Sequence, residues 1–296
     1  MSGPVAFSIV IPTHARPTLL PRAVQSALQA CGAQGEVVVV ADSDPGVAAS
    51  LSDLAADPQL RIVHNMGPRG ASGARNHGVA VARGEIVFFL DDDDEIIADY
   101  PRRVMPVAQA RQADWGFSRH LTRIDEATPP EPASRKKRRR GVIPPSAPFK
   151  RNVAATSNGF WIRRDLCQSL GGFCTDMRLD EDTDLCCHLV GAGHRPWYEE
   201  DCGMILNRDD AIERLTSTGQ AQDWGQCYLK TLQRGAEALR AERGAISFLA
   251  FRAQRMLMRA GMTEQLPLVY REVPWMWLRL ALQAKRTYAR LFGATE

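Results

Sequence analysis

Short, largely apolar runs alternate with helix-like segments along residues 7–90 of this chain. The apolar runs occupy residues 7–11, 36–40, 60–64 and 85–90. Apolar side chains at helical spacing fill the intervening segments, residues 19–30, 47–56 and 71–83. A strand that is apolar on both faces must be covered by helices on both sides of its sheet. The alternation therefore predicts an α/β fold with a Rossmann-type, mostly parallel sheet flanked by helices.

Three of these predicted strands are followed by polar or acidic residues. Pro12 and Thr13 follow the first strand, and Asp42 follows the second. Four consecutive aspartates, at residues 91–94, follow the fourth. In open α/β sheets, ligands bind in the crevice at the carboxyl ends of the strands. The sequence therefore predicts a binding site at this edge of the sheet.

The aspartate run after the fourth strand places negative charge where an apolar segment ends. Carboxylates are hard oxygen ligands that suit Mg²⁺ and Mn²⁺, and Mg²⁺ is often held by one or two carboxylates together with substrate phosphates. Strand alternation points Asp91 and Asp93 to one site and Asp92 elsewhere. A competing interpretation is that Asp94 and Glu95 stabilise the N-terminus of the next helix, by about 0.3–1 kcal/mol each. Because the helix interpretation leaves the other acids unexplained, a divalent-metal site is favoured.

A glycine-containing segment, MGPRGASGARNHG at residues 66–78, precedes and enters one predicted helix. Its glycines allow close backbone approach to an anion, and Arg75 could pair with phosphate oxygens. The spacing matches neither the P-loop nor the dinucleotide-binding fingerprint. The segment thus indicates a diphosphate site or an ordinary loop-to-helix turn with equal weight.

A second group of acids, Asp180, Glu181, Asp182 and Asp184, lies far along the chain. One of these carboxylates could serve as a general base if it reaches the reacting proton. Acids are also favoured at a helix N-terminus by the helix dipole, so a purely structural role explains the group about as well. The residues alone leave both interpretations open.

Composition restricts the class of protein. The formal net charge of +3 is too small to indicate nucleic-acid binding. The seven cysteines lack paired CxxC spacing, which argues against a disulfide framework or a zinc ribbon and favours reduced thiols. The first residues lack the pattern of a signal peptide, and no window approaches about 18 uncharged apolar residues, so no transmembrane helix is expected. We therefore expect a cytoplasmic protein without a nucleic-acid partner.

Two later regions differ from the alternating pattern. Residues 125–148 contain six prolines and the basic run RKKRRR, which predicts a mobile surface loop that could attract an anionic acceptor or membrane surface. Residues 208–296 are helical in pattern, with basic, Trp-containing segments that could lie on the inner face of a membrane. Packing of these helices on the rest of the protein, or on a second subunit of a homo-oligomer, is the slightly favoured alternative.

Five motifs, in order, resemble those of glycosyltransferase family 2, whose members have the GT-A fold. The motifs are FSIVIPTHARP, EVVVVADSD, GARNHGVAVARGEIVFFLDDDD, LGGF and EDTDL, and they fall within roughly the first 200 residues. The resemblance implies a GT-A-like catalytic domain over residues 1–207, with a nucleotide-sugar half at about 1–100 and an acceptor half at about 101–207. A helical C-terminal region, residues 208–296, would follow it.

The resemblance also implies roles for individual residues. The nucleotide-sugar would contact Pro12, Thr13, Asp42, Arg75, Asp91 and Asp92. Asp93 would coordinate the divalent metal, Mn²⁺ or Mg²⁺, within a DXD motif, and Asp182 would be the catalytic base. Trp161 and Glu181 would lie on the acceptor side, although a packed core aromatic explains Trp161 equally well.

The activity that the resemblance implies is metal-dependent, inverting transfer of a sugar from a nucleotide-sugar, expected to be a UDP-sugar, to an acceptor hydroxyl. The acceptor would be a glycan or a lipid-linked molecule in the synthesis of a surface polysaccharide or glycolipid. The alternative is a non-catalytic nucleotide-sugar- or glycan-binding module of the same fold, which could dispense with Asp93 or Asp182. Two residues depart from the family's pattern: Ala15 replaces its usual Asn, and Ala41 replaces the first acid of its usual Asp pair.

Overall fold

The computed structural model describes residues 5–43, 46–134, 138–156, 159–208 and 219–292. By their internal contacts, these residues form two compact units. Unit 1 lies within Met1–Pro145, Ala154–Thr175 and His194–Ile212, and unit 2 lies within Ser146–Val153, Asp176–Gly193 and Glu213–Glu296. The division differs from the expected boundary after residue 207, because residues 146–153 and 176–193 pack with the C-terminal helices.

Four parallel strands form the first part of the sheet in unit 1. They are β1 (Phe7–Thr13), β2 (Gly35–Ala41), β3 (Leu60–His64) and β4 (Ile86–Phe89), in the order β3-β2-β1-β4. The connecting helices are α1 (Leu20–Cys31), α2 (Val47–Ser50) and α3 (Ala71–Val81). Every residue of β1 and β2 is buried, as expected for apolar strands covered on both faces. The predicted Rossmann-type α/β sheet is confirmed.

The sheet continues with strands of mixed direction. The further strands are β5 (Glu95–Ile96), β6 (Trp115–Arg123), β7 (Glu131–Pro132), β8 (Gly141–Val142), β9 (Trp161–Arg163) and β10 (Trp197–Asn207), and the further helices are α4 (Tyr100–Gln109) and α5 (Arg164–Ser169). The main path through the described strands is β3-β2-β1-β4-β9-β6-β10-β5. Strand β9 is antiparallel to both β4 and β6, while β6 and β10 are parallel. The sheet is therefore parallel in its first half and mixed beyond it.

The predicted loop at residues 125–148 contains two short strands in its described part. Strand β7 pairs with β6, and β8 pairs with β10. At the end of the basic run, Arg140 Nε lies 3.0 Å from Oε2 of Glu199, a buried residue of β10. Residues 135–137 of the run lie outside the described residues. The described part is attached to the sheet through β6 and β10, and the mobility of the loop stays a prediction.

Unit 2 is built from helices. They are α6 (Glu181–Gly191), α7 (Ala221–Gly235), α8 (Arg243–Arg259), α9 (Leu266–Glu272) and α10 (Met276–Phe292), with 3₁₀ turns at Phe149–Asn152 and Thr263–Gln265. Helix α7 packs on α6 and α8, and Leu232 and Leu249 are fully buried there. The predicted helical C-terminal region is confirmed. None of the described helices combines the length and the apolar character that crossing a membrane requires.

Candidate active site

The aspartate run lies in a turn rather than on a strand. Strand β4 ends at Phe89, and the chain turns at residues 91–94 before β5 begins at Glu95. Strand alternation therefore does not decide where these side chains point. The interpretation of Asp94 and Glu95 as a helix start is also wrong, because the next helix, α4, begins only at Tyr100.

Arg16 lies between Asp92 and Asp93. Its Nη1 is 3.0 Å from Asp92 Oδ1 and 2.9 Å from Asp93 Oδ2. Thr13 ends β1 beside the buried Pro12 and donates its hydroxyl hydrogen to Asp92 Oδ2 over 2.7 Å. The expectation that Asp92 points away from Asp93 is therefore wrong, since both carboxylates contact one guanidinium.

The carboxylates of this turn have the chemistry of a divalent-metal site. The pKa of Asp92 is raised to about 6, chiefly by burial; Arg16 and Thr13 oppose the rise, and Asp93 and Asp91 add to it. Among the described residues, no group of three or more His, Cys, Asp or Glu side chains is placed to hold a metal ion. A site that substrate phosphates complete needs only one or two carboxylates. Asp93 and Asp91 fit that type of site.

Arg75, in α3, is the partner of Asp91. Its Nη2 lies 2.8 Å from Asp91 Oδ1, and its guanidinium carbon lies 5.5 Å from the centre of the Phe173 ring. Arg75 is buried, whereas the Asp91 side chain is 26% exposed. Because packing fixes the guanidinium, Arg75 orients Asp91 toward the exposed edge of the turn. The contact of Arg75 with a diphosphate stays a prediction.

Asp42 anchors the glycine-containing segment that leads into α3. Its carboxylate accepts hydrogen bonds from the Gly70 N–H at 2.7 Å and from Asn65 Nδ2 at 2.8 Å. Gly70 has φ +100°, a conformation that glycine adopts without strain. A Cβ on Gly73 would lie 1.7 Å from the Pro68 carbonyl oxygen. Both glycines therefore serve the loop-to-helix turn itself, which was the alternative interpretation of this motif.

In unit 2, the second group of acids begins α6. Asp180 has a left-handed backbone (φ +63°) and accepts the Thr183 hydroxyl hydrogen at 2.7 Å. Glu181, Asp182 and Asp184 occupy the first turn of the helix. Burial raises the pKa of Asp180 well above the usual carboxyl range, and Asp182 and Glu181 add to the rise. The acidic helix start is confirmed, and the catalytic role of Asp182 stays a prediction.

Two residues that sequence reasoning did not select interact with this group of acids. Arg252 of α8 donates to the Tyr228 hydroxyl of α7 at 3.2 Å, and its guanidinium carbon lies 4.4 Å from the centre of the Phe248 ring. The charge of Arg252 lowers the pKa of Asp180. Burial, together with Asp180, raises the pKa of Tyr228 to about 12. Helical periodicity predicts α7 and α8 but not which polar side chains they bring to α6.

Trp161 lies in the core of unit 1. It is fully buried in β9, between β4 and β6, and its register partner on β4 is Phe88. An indole without exposed surface cannot stack on an acceptor sugar, so its predicted place on the acceptor side is wrong. Glu181 is only partly buried, and its role on the acceptor side stays a prediction.

Curated relatives and a solved structure resemble the chain. Over 106 residues it is 35% identical to the succinoglycan biosynthesis protein ExoO of Rhizobium meliloti. The aligned region covers 36% of this chain and only 30% of that protein. Over 221 residues it is 25% identical to Escherichia coli WcaA, provisionally named as a colanic acid biosynthesis glycosyl transferase. This aligned region covers 72% of this chain and 76% of WcaA. The crystal structure of S. aureus TarS 1–349 in complex with UDP-GlcNAc matches with a TM-score of 0.69 and 15% identity, covering 90% of this chain and 79% of that chain. At that identity, the likeness to TarS shows the GT-A-like fold alone.

The family model of glycosyl transferase family 2 matches residues 8–171 of the 296 in this chain. The matched span begins at the second residue of β1 and includes the other three parallel strands, the aspartate turn, and Arg16 and Arg75, which contact the turn. By this match and by its fold, the chain belongs to glycosyl transferase family 2.

Proposed function

We propose that this glycosyltransferase moves a sugar from a nucleotide-sugar to an acceptor hydroxyl, with inversion at the anomeric carbon. The observation that carries the proposal is the carboxylate turn at residues 91–93, which follows a parallel strand and is held by Arg16 and Arg75. Ligands of open α/β sheets bind at the carboxyl ends of such strands. The family supports a transferase, and the turn supports a phosphate-bearing donor.

The donor would bind at the ends of the parallel strands. Thr13 and Asp42 are neighbours there, since the Asp42 N–H donates to the Thr13 carbonyl oxygen at 2.8 Å. We assign these two residues, with Pro12, to the nucleoside and Arg75 to the diphosphate. A UDP-sugar is the proposed donor because TarS has been solved in complex with UDP-GlcNAc and with UDP.

Asp93, with Asp91, would hold a divalent cation, Mn²⁺ or Mg²⁺. The cation would neutralise negative charge on the departing nucleoside diphosphate. Hard carboxylate oxygens gathered in one turn support this assignment, with Asp93 buried and Asp91 partly exposed. Asp92 itself would stay bound to Arg16 and Thr13 and keep the turn in place.

Asp182 would act as the general base. The acceptor hydroxyl gives its proton to the Asp182 carboxylate while its oxygen bonds to the anomeric carbon, and the bond from that carbon to the diphosphate oxygen breaks. Attack opposite the leaving group inverts the anomeric centre. The Thr183 N–H donates to Asp182 Oδ1 at 2.7 Å, which orients the carboxylate at the start of α6. Glu181, beside it, would contact the acceptor.

The proposed acceptor is a glycan or a lipid-linked molecule in the synthesis of a surface polysaccharide or glycolipid. The names of two relatives, in succinoglycan and colanic acid biosynthesis, support a place in polysaccharide synthesis.

A melting-temperature panel with UDP, GDP, CDP and TDP, each with and without Mn²⁺, tests the donor site. A ligand at 100 times its Kd stabilises a protein by about 2.7 kcal/mol. We expect UDP to raise the Tm and Mn²⁺ to enlarge the shift. The enlargement should vanish in Asp93→Asn and persist in Asp53→Asn, a control at an exposed aspartate outside the turn. An equal response of both variants to Mn²⁺ would contradict the metal assignment.

UDP release from UDP-sugars, with and without lipid-linked oligosaccharides, tests the chemistry. Asp182→Asn should keep the nucleotide-dependent Tm shift and lose turnover by about 10²–10⁴-fold, the usual contribution of a general base. Full turnover in this variant would rule out Asp182 as the base. A wild-type protein that binds one nucleotide but turns over no donor would favour the non-catalytic binding module.

A further inference from the structure

Helix α10 (Met276–Phe292) has one face that packs on unit 2. Leu278 and Leu282, one helical turn apart, are fully buried, and Gln254 of α8 donates its side-chain N–H to the Leu282 carbonyl oxygen at 3.0 Å. Lys285 lies at the edge of this face, with its Nζ 5.5 Å from the centre of the Phe251 ring. These contacts fix which side of the helix faces outward.

The outward face of α10 is mostly apolar, although it includes Thr287. Met276, Trp277, Leu280 and Tyr288 are each more than half exposed. At 3.6 residues per turn, these side chains fall within an arc of about 120°. Eight large hydrophobic side chains are exposed among the described residues, and four of them lie on this helix. Such a concentration on one helix face indicates a binding surface, whereas scattered exposed apolar residues do not.

Basic residues border this face, and acids are missing from the helix. The sequence of α10 contains no Asp or Glu, while Arg279, Lys285 and Arg286 lie along it. The neighbouring acid, Glu272, is paired with Arg271 at 3.2 Å. Positive charge beside an apolar arc with Trp and Tyr is the composition of helices that lie in a membrane interface. The charge therefore complements anionic lipid headgroups.

A second copy of the chain fits this face less well. A two-fold dimer through α10 would bring the same surface together from both subunits. It would place two sets of Arg279, Lys285 and Arg286 close to each other, with no acid of the helix to balance them. Like charges would oppose that contact, whereas an anionic lipid surface attracts all of them.

We propose that the outward face of α10 binds the protein peripherally to an anionic lipid surface, with the helix axis in the plane of the interface. Met276, Trp277 and Leu280 enter the apolar boundary, and Lys285 and Arg286 contact the headgroups. This attachment does not depend on the proposed sugar transfer, and it is measured without donor or acceptor.

Co-sedimentation of the full chain with lipid vesicles tests the proposal. Phosphatidylcholine vesicles that contain phosphatidylglycerol should bind the protein, pure phosphatidylcholine should bind it weakly, and salt should reduce the difference. The double variant Trp277→Glu/Leu280→Glu should bind at least about tenfold more weakly. Lys285→Gln should lower binding to the anionic vesicles by about fivefold.

Ile124→Glu is the matched control, since Ile124 is 71% exposed, more than Trp277 or Leu280, but lies in unit 1. Its binding should equal that of the wild type, and all variants should keep the wild-type Tm. Three results would overturn the proposal. These are absence of vesicle binding, equal loss in the Ile124→Glu control, and a dimer in size-exclusion chromatography that Trp277→Glu/Leu280→Glu dissociates without vesicle binding.

Discussion

Arg16 Nη1 contacts Asp92 and Asp93 at once, at 3.0 Å and 2.9 Å. The four aspartates of the turn therefore do not form one cluster. Asp91 is paired with Arg75, and Asp94 accepts the backbone N–H of Asn207 at 3.0 Å. Asp91, the pair Asp92 and Asp93, and Asp94 are thus oriented by three different parts of unit 1, which explains how so much charge can be placed at the end of a buried strand.

Replacing Arg16 should destabilise the protein and make its stability depend on metal. Arg16→Gln leaves two buried carboxylates without their cation, and we expect a loss of about 1–3 kcal/mol, less than for a fully buried pair because Arg16 is 26% exposed. Mn²⁺ should restore more stability to this variant than to the wild type. Urea unfolding with and without Mn²⁺ measures both effects.

Arg22→Gln is the control for Arg16→Gln. Arg22 is similarly exposed, at 30%, and pairs with Glu95 and Glu126 outside the proposed metal site. Arg22→Gln should lose less free energy of unfolding than Arg16→Gln, and Mn²⁺ should not restore that loss. The same Mn²⁺ response in the two variants would mean that Arg16 does not share its carboxylates with a cation.

Asp180 should make unit 2 less stable as pH rises. Its folded-state pKa is raised above the ordinary value of 3.8, chiefly by burial, so the folded protein binds this proton more tightly than the unfolded chain. The free energy of unfolding therefore falls as pH rises from about 4 through the folded-state pKa. Asp180→Asn suits the left-handed backbone, and relative to the wild type it should gain stability as pH rises.

Urea unfolding at a series of pH values compares this variant with the wild type. Asp176→Asn is the control, because Asp176 is exposed in the same unit and pairs with Lys230. The free energy of unfolding of Asp176→Asn should change with pH in parallel with that of the wild type. Parallel curves for Asp180→Asn as well would show that Asp180 does not titrate with a raised pKa.

Ala15 should be replaceable with a gain in stability. It has φ +52°, a left-handed conformation that costs alanine roughly 1 kcal/mol and that asparagine tolerates better. Ala15→Asn should therefore stabilise the protein by roughly 0.5–1 kcal/mol, seen as a higher Tm. Ala55→Asn changes an exposed site without positive φ and should not raise the Tm. Equal Tm changes in both variants would remove the backbone explanation.

The parallel half of the sheet could be predicted from the sequence because burial on both faces leaves a local signature. Apolar runs set β1 and β2, and the polar residues after them, Thr13 and Asp42, are neighbours as expected. The predicted helix at residues 47–56 forms only over Val47–Ser50. The Ser50 hydroxyl donates to the Val47 carbonyl oxygen, the kind of local bond that competes with a continuing helix.

The partners within the site could not be predicted, because they depend on tertiary contacts. Nothing local to the aspartate run indicates that Arg16 would join Asp92 to Asp93, since Arg16 is 76 residues from Asp92. The sequence around Trp161 suits a sugar contact and a core position equally well, and only the insertion of β9 between β4 and β6 shows that Trp161 belongs to the core. Local patterns define elements and strand ends, whereas side-chain pairing requires the folded chain.

Arg252 should act as a positioning residue for the acids at the start of α6. Its charge favours the ionised form of Asp180, and its hydrogen bond holds the Tyr228 hydroxyl at 3.2 Å. In Arg252→Gln, the acids lose this cation, so the acidic limb of the pH–rate profile should move to higher pH. On that limb, kcat should fall by roughly three- to tenfold while KM for the donor stays unchanged, and the loss should shrink as pH rises.

Arg252→Lys should restore most of the activity, because it returns the charge, whereas a purely structural role would need the guanidinium packed on Phe248. Arg255 is an exposed arginine of the same helix, and Arg255→Gln should leave the pH–rate profile unchanged. A fall in kcat that is equal at every pH would mean that Arg252 acts through packing alone. A shift of the acidic limb in Arg252→Gln but not in Arg255→Gln would instead connect the C-terminal helices to the proton transfer assigned to Asp182.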